Sequence, residues 1–211
     1  MPVTRGFTGR RDRREAARTH ADRIPPGQYD AGTEWPSLTA EALPDVGPGW
    51  TDRWSMTVDG LVDAPARWSW AELRALPRSS YRGDIHCVTT WTRLDNTFTG
   101  VSVDTLLEAA GPTAAAGYVM AHSTTGYTTN LPLADVTGGR AWVVWEHDGR
   151  PLSVEHGGPV RLLVPHLYFW KSAKWVTRLE LMADDRPGFW EANGYHDRGD
   201  PWLEQRYQGD P

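Results

Sequence analysis

The stretch HGGPVRLLVPHLYFWKSAKW, residues 156–175, decides how this chain folds and what it can bind. Within it, residues 160–165 form a short, largely apolar run that is rich in Val and Leu and bounded by Gly and Pro. Such a run is typical of a buried strand rather than of a helix. We therefore predict a strand over residues 160–164, which would support the polar residues at its two ends.

The same stretch concentrates positive charge. It contains both lysines of the chain, Lys171 and Lys174, and it carries His156 and Arg161 near the start of the predicted strand. Backbone amides, the Ser172 hydroxyl and two or three cationic side chains would together bind a phosphate group. The alternative is a surface loop with solvated basic residues, and the spacing alone does not separate the two.

Composition limits the class of protein. The 211 residues are enough for one large domain with a buried core, and the 12 Trp indicate a β-rich core or a flat ligand against aromatic walls. A net charge of -5 argues against nucleic acid as a partner. No apolar run is long enough to span a membrane, and there is no signal-peptide core and only one cysteine. We therefore expect a cytoplasmic protein with no transmembrane segment.

The chain divides by composition into two parts. Residues 1–23 are polar and rich in charge, which indicates an N-terminal arm, and residues 24–211 are predicted to form a single domain. That domain would begin with an extended, Pro- and Gly-rich arm, residues 24–50. It would end with an irregular aromatic and acidic segment, residues 184–211, that wraps around the body.

Local patterns predict a strand-rich α+β fold of mixed sheets with a few short helices. Ser69 and Glu72 have the spacing of a capping box at the start of a helix. A second helix is predicted over residues 103–110, where Gly and Pro follow it. The hydroxyl-rich segment 85–100 is predicted to be irregular. Strands are predicted over residues 54–58, 118–123, 141–147, 160–164 and 175–182.

The single cysteine, Cys87, has three possible roles. It is a buried small hydrophobe, a nucleophile activated by a neighbour such as His86, or a ligand to a soft metal. The sequence contains no Cys-x-x-Cys or His-Glu-x-x-His motif that would complete a metal site from protein alone. If Cys87 binds a metal, the remaining ligands must come from a cofactor, and that cofactor would carry the anion predicted above.

Two motif blocks resemble the sulfite oxidase superfamily of molybdopterin enzymes. The first is Cys87 followed by V-x-x-W, and the second is H-G-x-P-V-R-L-x-V-P from His156 with a downstream S-x-K-W. The resemblance covers residues 50–182 and is greatest to small single-domain bacterial sulfite-oxidase-like proteins and to methionine-sulfoxide-reductase catalytic subunits. It implies a sulfite-oxidase-type molybdopterin-binding fold.

The resemblance also implies a molybdenum-molybdopterin cofactor, with Cys87 as the catalytic residue and the metal ligand. By the same resemblance, the residues that bind the cofactor are Leu38, Thr39, Ser123, His156, Arg161, Ser172, Ala173 and Lys174. The candidates for lining the substrate pocket are Trp91, His122, His166 and Tyr168.

The activity that the resemblance implies is oxygen-atom transfer to or from a small, sulfur-containing substrate. The sequence has no haem or flavin motif, so we expect electrons to be exchanged with a separate redox partner. Two alternatives stay open at this point. One is a metal-free thiol enzyme that uses Cys87, and the other is a non-catalytic protein that binds a phosphorylated small molecule.

Overall fold

The computed structural model describes residues 22–38 and 42–211, and within these ranges eleven strands form two sheets. The strands are β1 Tyr29–Asp30, β2 Ser55–Gly60, β3 Ala66–Ser69, β4 Ser79–His86, β5 Trp91–Ser102, β6 Tyr118–Ser123, β7 Thr128–Pro132, β8 Trp142–His147, β9 Arg150–Pro151, β10 Arg161–Leu163 and β11 Val176–Met182. The α-helices are α1 Trp50–Arg53, α2 Trp70–Ala75, α3 Val103–Ala110 and α4 Leu133–Val136. Among the described residues, no helix is long and apolar enough to cross a membrane.

Both sheets mix parallel and antiparallel pairing. The first sheet has the order β1-β5-β8-β10, with β4 paired to β5 and β9 paired to β8, and its β1-β5 pair is parallel. The second sheet has the order β3-β2-β11-β6-β7, and β11 runs parallel to β2 and antiparallel to β6. The predicted α+β fold of mixed sheets with short helices is therefore confirmed.

In the first sheet, strands β8 and β10 are buried on both of their faces. Consecutive residues of β8, Val143 and Val144, belong to two different hydrophobic clusters, and so do Leu162 and Leu163 of β10. Successive side chains of a strand point to opposite faces, so these strands separate a large core from a smaller one. This explains why the sequence shows an almost continuous apolar run at β10 rather than an alternating pattern.

Short-range signals predicted two of the four α-helices, α2 and α3. Ser69 caps α2 as a capping box, since Glu72 N donates to Ser69 Oγ at 3.3 Å and Ser69 N donates to Glu72 Oε2 at 2.8 Å. Helix α3 has the predicted bounds and ends at Gly111, whose φ of 67° is left-handed. Gly adopts this conformation without a steric penalty, which is why it commonly ends helices.

The prediction that residues 85–100 are irregular is wrong. They belong to a long antiparallel hairpin formed by β4 and β5. The polar residues Thr92 and Asn96 of β5 are buried, so the strand lacks the apolar alternation by which strands are usually detected. Hydrogen bonds to other buried groups satisfy both side chains, and Thr is a favourable strand residue.

A buried ion pair attaches the C-terminal segment to the body of the protein. Lys171 Nζ lies 2.6 Å from Glu191 Oε1, and both side chains are inaccessible to solvent. Lys171 also donates to the backbone carbonyl of Asn130, and Glu191 Oε1 accepts from Trp170 Nε1 at 2.9 Å. Charges removed from water need close partners of this kind, so this pair fixes where the segment lies.

We expect Glu191→Gln to destabilise the protein by about 3–5 kcal/mol, because it leaves the buried Lys171 charge without its counter-ion. Urea unfolding of the purified protein measures this change. The control is Arg78→Met, which breaks a more exposed ion pair with Glu146 and should cost at most about 1 kcal/mol. Equal losses in the two variants would contradict the role given to the buried pair.

Candidate functional site

A cavity of about 320 Å³ brings together the two ends of the predicted site. It lies between the β4-β5 turn, the loops that flank β10, the N-terminal arm and the C-terminal segment. The predicted site residues that line it are Leu38, Cys87, His156, Arg161, Ser172, Ala173 and Lys174. Two motif blocks that are far apart in sequence therefore face one another across a single space.

Cys87 is held at the start of a tight turn. Its amide donates to Trp91 O at 2.8 Å, and Thr90 N donates to Cys87 O at 3.0 Å. Thr90 has a φ of 75°, as expected for the last residue of a three-residue hairpin loop. Burial raises the pKa of the Cys87 thiol, so by itself the thiol is protonated at neutral pH. A bound metal ion would deprotonate it.

The described structure does not support His86 as an activating base for Cys87. His86 Nδ1 lies 3.0 Å from Thr92 Oγ1, and burial lowers the pKa of His86 to about 4. The Cys87 sulfur has Thr89 Oγ1 as its contact, at 3.2 Å. Since successive strand residues point to opposite sides, His86 is directed away from the cavity that Cys87 lines.

Arg161 forms the cationic wall of the cavity. Its side chain is buried, and its three hydrogen bonds within the described ranges go to backbone carbonyls of His156, Ser172 and Leu162, at 2.7, 2.7 and 3.3 Å. Burial lowers its pKa to about 9, which still leaves it charged at neutral pH. The guanidinium carbon also lies 4.0 Å from the centre of the Phe169 ring. A buried cation held by carbonyl dipoles and an aromatic ring favours an anion in the space it faces.

Lys174 joins the N-terminal arm to the loop after β10. Its Nζ donates to Ser37 Oγ at 3.0 Å, to Leu38 O at 3.1 Å and to Glu155 O at 2.6 Å. Ser123, which was predicted to touch the cofactor, does not line the cavity, and its hydroxyl donates to the backbone carbonyl of Lys174. Ser123 therefore stabilises the loop that carries Lys174 without facing the cavity.

His156 is a neutral, stacked side chain. Its ring lies parallel to that of Trp35, with 4.0 Å between the ring centres. Burial and the nearby charge of Arg161 lower the pKa of His156 to about 4. At neutral pH it is a hydrogen-bonding group rather than a cation, so Arg161 and Lys174 carry the positive charge of the site.

Several predicted residues lie elsewhere. The expectation that Lys171 belongs to the anion site is wrong, because it is buried against Glu191. Trp91 lines the cavity, but the other three pocket candidates do not. His122 lies 3.0 Å from Glu180, His166 lies 3.0 Å from Asp135, and Tyr168 is buried beside Trp170. Thr39 and most of the N-terminal arm, residues 1–21, lie outside the described residues.

An aromatic wall was missed at the level of sequence. It consists of Tyr127, Trp170, Trp190 and Tyr195, which line the cavity together. Burial, with smaller contributions from Tyr207 and Cys87, raises the pKa of Tyr195, so its phenol is a hydrogen-bond donor at neutral pH. For Trp190 and Tyr195 the local signal was the aromatic content of residues 184–211, which does not indicate which side chains face inward.

The cavity fits the cofactor that the resemblance implies. Cys87 supplies a soft sulfur donor, and Arg161 supplies a buried positive charge suited to a phosphate. The buried Trp91 Nε1 has no hydrogen-bond partner among the described residues, and Trp91 lines the cavity. Within the described ranges, no group of three or more His, Cys, Asp or Glu side chains is placed to hold a metal ion.

Comparison with known proteins agrees with this geometry. Residues 42–190 match the family model described as "Oxidoreductase molybdopterin binding domain". The chain is 45% identical to the uncharacterized oxidoreductase YuiH of Bacillus subtilis (strain 168), and the match covers 89% of this chain and 93% of that protein. It is 26% identical to the protein-methionine-sulfoxide reductase catalytic subunit MsrP of Pseudomonas syringae pv. tomato, over 81% of this chain and 55% of that subunit.

A solved structure shares the fold. The sulfane dehydrogenase SoxCD from Paracoccus pantotrophus superimposes with a TM-score of 0.61 and 19% identity, over 72% of this chain and 45% of that one. This similarity shows a shared fold, and together with the family match over residues 42–190 it confirms the predicted molybdopterin-binding fold. The chain spans about half the length of MsrP and of the SoxCD chain.

Gly157 should be essential for the shape of the anion site. A Cβ at this position would lie 3.0 Å from the Cβ atoms of both Arg161 and Lys174. We expect Gly157→Ala to displace these side chains and to reduce the pterin that co-purifies with the protein by about tenfold, the effect of weakening one charge-assisted contact. Pterin fluorescence after oxidation, normalised to protein, measures this loss.

Gly194→Ala is the matched control. Gly194 has a φ of 92°, close to the 94° of Gly157, and both glycines end 3-10 helices. A Cβ at Gly194 would have no atom within 4 Å. The two substitutions therefore carry similar backbone strain, and only Gly157→Ala adds a contact in the site. Equal pterin content in both variants would contradict this account.

Buried neutral histidines should make stability depend on pH. The pKa of His86 is lowered to about 4, below the ordinary value of about 6.5 in the unfolded chain. Between these values the unfolded chain binds the proton first, so the contribution of His86 is complete above pH about 6.5 and is lost as the pH falls to about 4, by up to about 3 kcal/mol. Urea unfolding from pH 4 to 7 should show a smaller fall for His86→Gln than for the wild type.

Proposed function

We propose that this chain, which belongs to the family of oxidoreductases with a molybdopterin binding domain, transfers an oxygen atom to or from a small sulfur-containing substrate. The chain is an enzyme of the sulfite oxidase type with a molybdenum-molybdopterin cofactor. The proposal is carried by one observation. A single cavity has the Cys87 thiol on one wall and the buried Arg161 guanidinium on another.

Different residues of the cavity would bind different parts of the cofactor. Cys87 would hold the metal through sulfur, a soft ligand that suits molybdenum bound by a dithiolene. Arg161 and Lys174 would neutralise the phosphate, and Ser172 and Ala173 would bring their backbone to it. His156, which is neutral and stacked on Trp35, would hydrogen-bond the pterin. Leu38, which belongs to the N-terminal arm, lines the same cavity.

The bound cofactor supplies two-electron chemistry that accompanies the gain or loss of an oxygen atom by the substrate. The chain's own residues would orient the substrate and exclude water. Tyr195 and Trp91 can each donate a hydrogen bond within the cavity, where an oxygen on the substrate would accept it. The two electrons would pass to or from a separate carrier protein, since the sequence holds no haem or flavin motif.

Two observations support a sulfur-containing substrate. Trp170, Trp190 and Tyr127 give the cavity aromatic walls, and divalent sulfur makes favourable contacts with aromatic rings. MsrP, whose name describes methionine-sulfoxide reduction, is similar to this chain over most of its length. The relative with the higher identity, YuiH, is named only as an oxidoreductase.

We expect purified wild-type protein to contain molybdenum and pterin in near-equal amounts, and Cys87→Ser to keep the pterin while losing metal or activity. Serine offers a hard oxygen in place of a soft sulfur, so it weakens the metal site without altering the phosphate end. Elemental analysis and pterin fluorescence measure the two components separately. An unchanged urea midpoint in the apo-protein would show that Cys87→Ser still folds.

The absence of the cofactor would contradict the proposal. Wild-type protein that contains neither molybdenum nor pterin, from a host able to make both, would contradict the proposal. Activity that persists without metal and is abolished by alkylation would instead indicate a thiol enzyme.

A further inference from the structure

The turn that carries Cys87 is held from outside by both ends of the described chain. Gln28 Nε2 donates to Cys87 O at 3.0 Å, and Arg206 Nη1 donates to Val88 O at 2.6 Å. We propose that Gln28 and Arg206 are positioning residues that clamp this turn, residues 87–90, and thereby fix the direction in which Cys87 presents its sulfur. This inference rests on the proposed role of Cys87 as the metal ligand.

The clamp completes the hydrogen bonding of the turn. Besides the two carbonyls held by Gln28 and Arg206, Thr90 O accepts from Tyr29 N at 2.9 Å, and Thr89 O accepts from Thr90 Oγ1 at 2.6 Å. Every carbonyl from residue 87 to residue 90 therefore has a donor. Two of these donors, Gln28 and Tyr29, come from the N-terminal arm, and one comes from the C-terminal segment.

The turn needs this support because of its backbone conformation. Thr90 is a β-branched residue with a φ of 75°, which costs energy that the surrounding structure must offset. Without outside contacts the turn could relax and move the sulfur. A shift of a fraction of an ångström matters at a metal ligand, because its coordination depends on the orientation imposed by neighbouring groups.

Contacts outside the turn also hold Arg206 in position. Its side chain is only 15% exposed, and its guanidinium carbon lies 5.0 Å from the centre of the Tyr168 ring. Its backbone N donates to Asp210 Oδ2 at 2.8 Å. Gly27 leaves room for it, since a Cβ there would lie 3.2 Å from Arg206 Nη2. Such a preset side chain gives a directed hydrogen bond rather than a loose surface contact.

Gln28 grips the hairpin at two points. Its amide nitrogen holds Cys87 O, and its Oε1 accepts from Thr92 Oγ1 at 3.3 Å. Thr92 is on the strand that follows the turn, so one side chain spans the start of the turn and the strand beyond it. Gln28 and Arg206 both lie outside residues 42–190, the part that matches the family model.

The test compares Arg206→Met and Gln28→Glu with wild-type holoenzyme. Methionine removes the donor to Val88 O, and glutamate places an acceptor against Cys87 O. We expect amide hydrogen exchange at Thr90 to become about tenfold faster in each variant, as for the loss of one hydrogen bond. We also expect the ratio of molybdenum to pterin to fall and the sulfur-to-metal charge-transfer absorption to shift. Arg206→Lys, which keeps a donor, should restore part of each signal.

Arg198→Met is the control. Arg198 lies in the same C-terminal segment but donates to Asp135 Oδ2, at 3.2 Å, and does not contact the turn. We expect it to leave the Thr90 exchange rate, the metal-to-pterin ratio and the absorption band at their wild-type values. If Arg198→Met reproduces the effects of Arg206→Met, or if Arg206→Met has no effect, the clamp is refuted. Wild-type protein without molybdenum would refute the proposed function instead, and hydrogen exchange at Thr90 would still report on the clamp.

Discussion

The site depends on the hydrogen bonds that the guanidinium of Arg161 donates to backbone carbonyls. This guanidinium is buried, and it binds the carbonyls of His156 and Ser172, which belong to the loops before and after β10. A buried cation needs these carbonyl dipoles, and the two loops need the cation to hold their carbonyls together. One charge therefore determines both the shape of the loops and the affinity of the cavity for an anion.

The rest of the cavity is assembled around this point from distant parts of the chain. The N-terminal arm brings Trp35 to stack on His156, and Lys174 holds the arm through Ser37. The C-terminal segment is attached by the buried Lys171–Glu191 pair and brings the aromatic wall. Two largely irregular segments thus complete a site whose two chemical ends lie on strand-supported loops. Such an arrangement is common when a rigid scaffold positions functional loops.

The two ends of the site differ in charge. Burial lowers the pKa of His156 and raises that of the Cys87 thiol, so it disfavours the charged form of both groups. Arg161 stays charged because its pKa begins far above neutrality. The cavity therefore keeps a permanent positive charge at one end and, at the other, a sulfur that becomes a thiolate only when a metal binds to it.

The sequence by itself determined several of the local elements and the two motif blocks. Capping at Ser69, the bounds of α3 and the buried strand β10 follow from contacts within a few residues, so they are visible in the sequence. Only the tertiary structure decided which side chains face the cavity. Lys171 forms an ion pair with Glu191, and Tyr195 lines the cavity. Both arrangements depend on residues from distant segments of the chain. Burial and partner choice are properties of the packed molecule, and no local pattern encodes them.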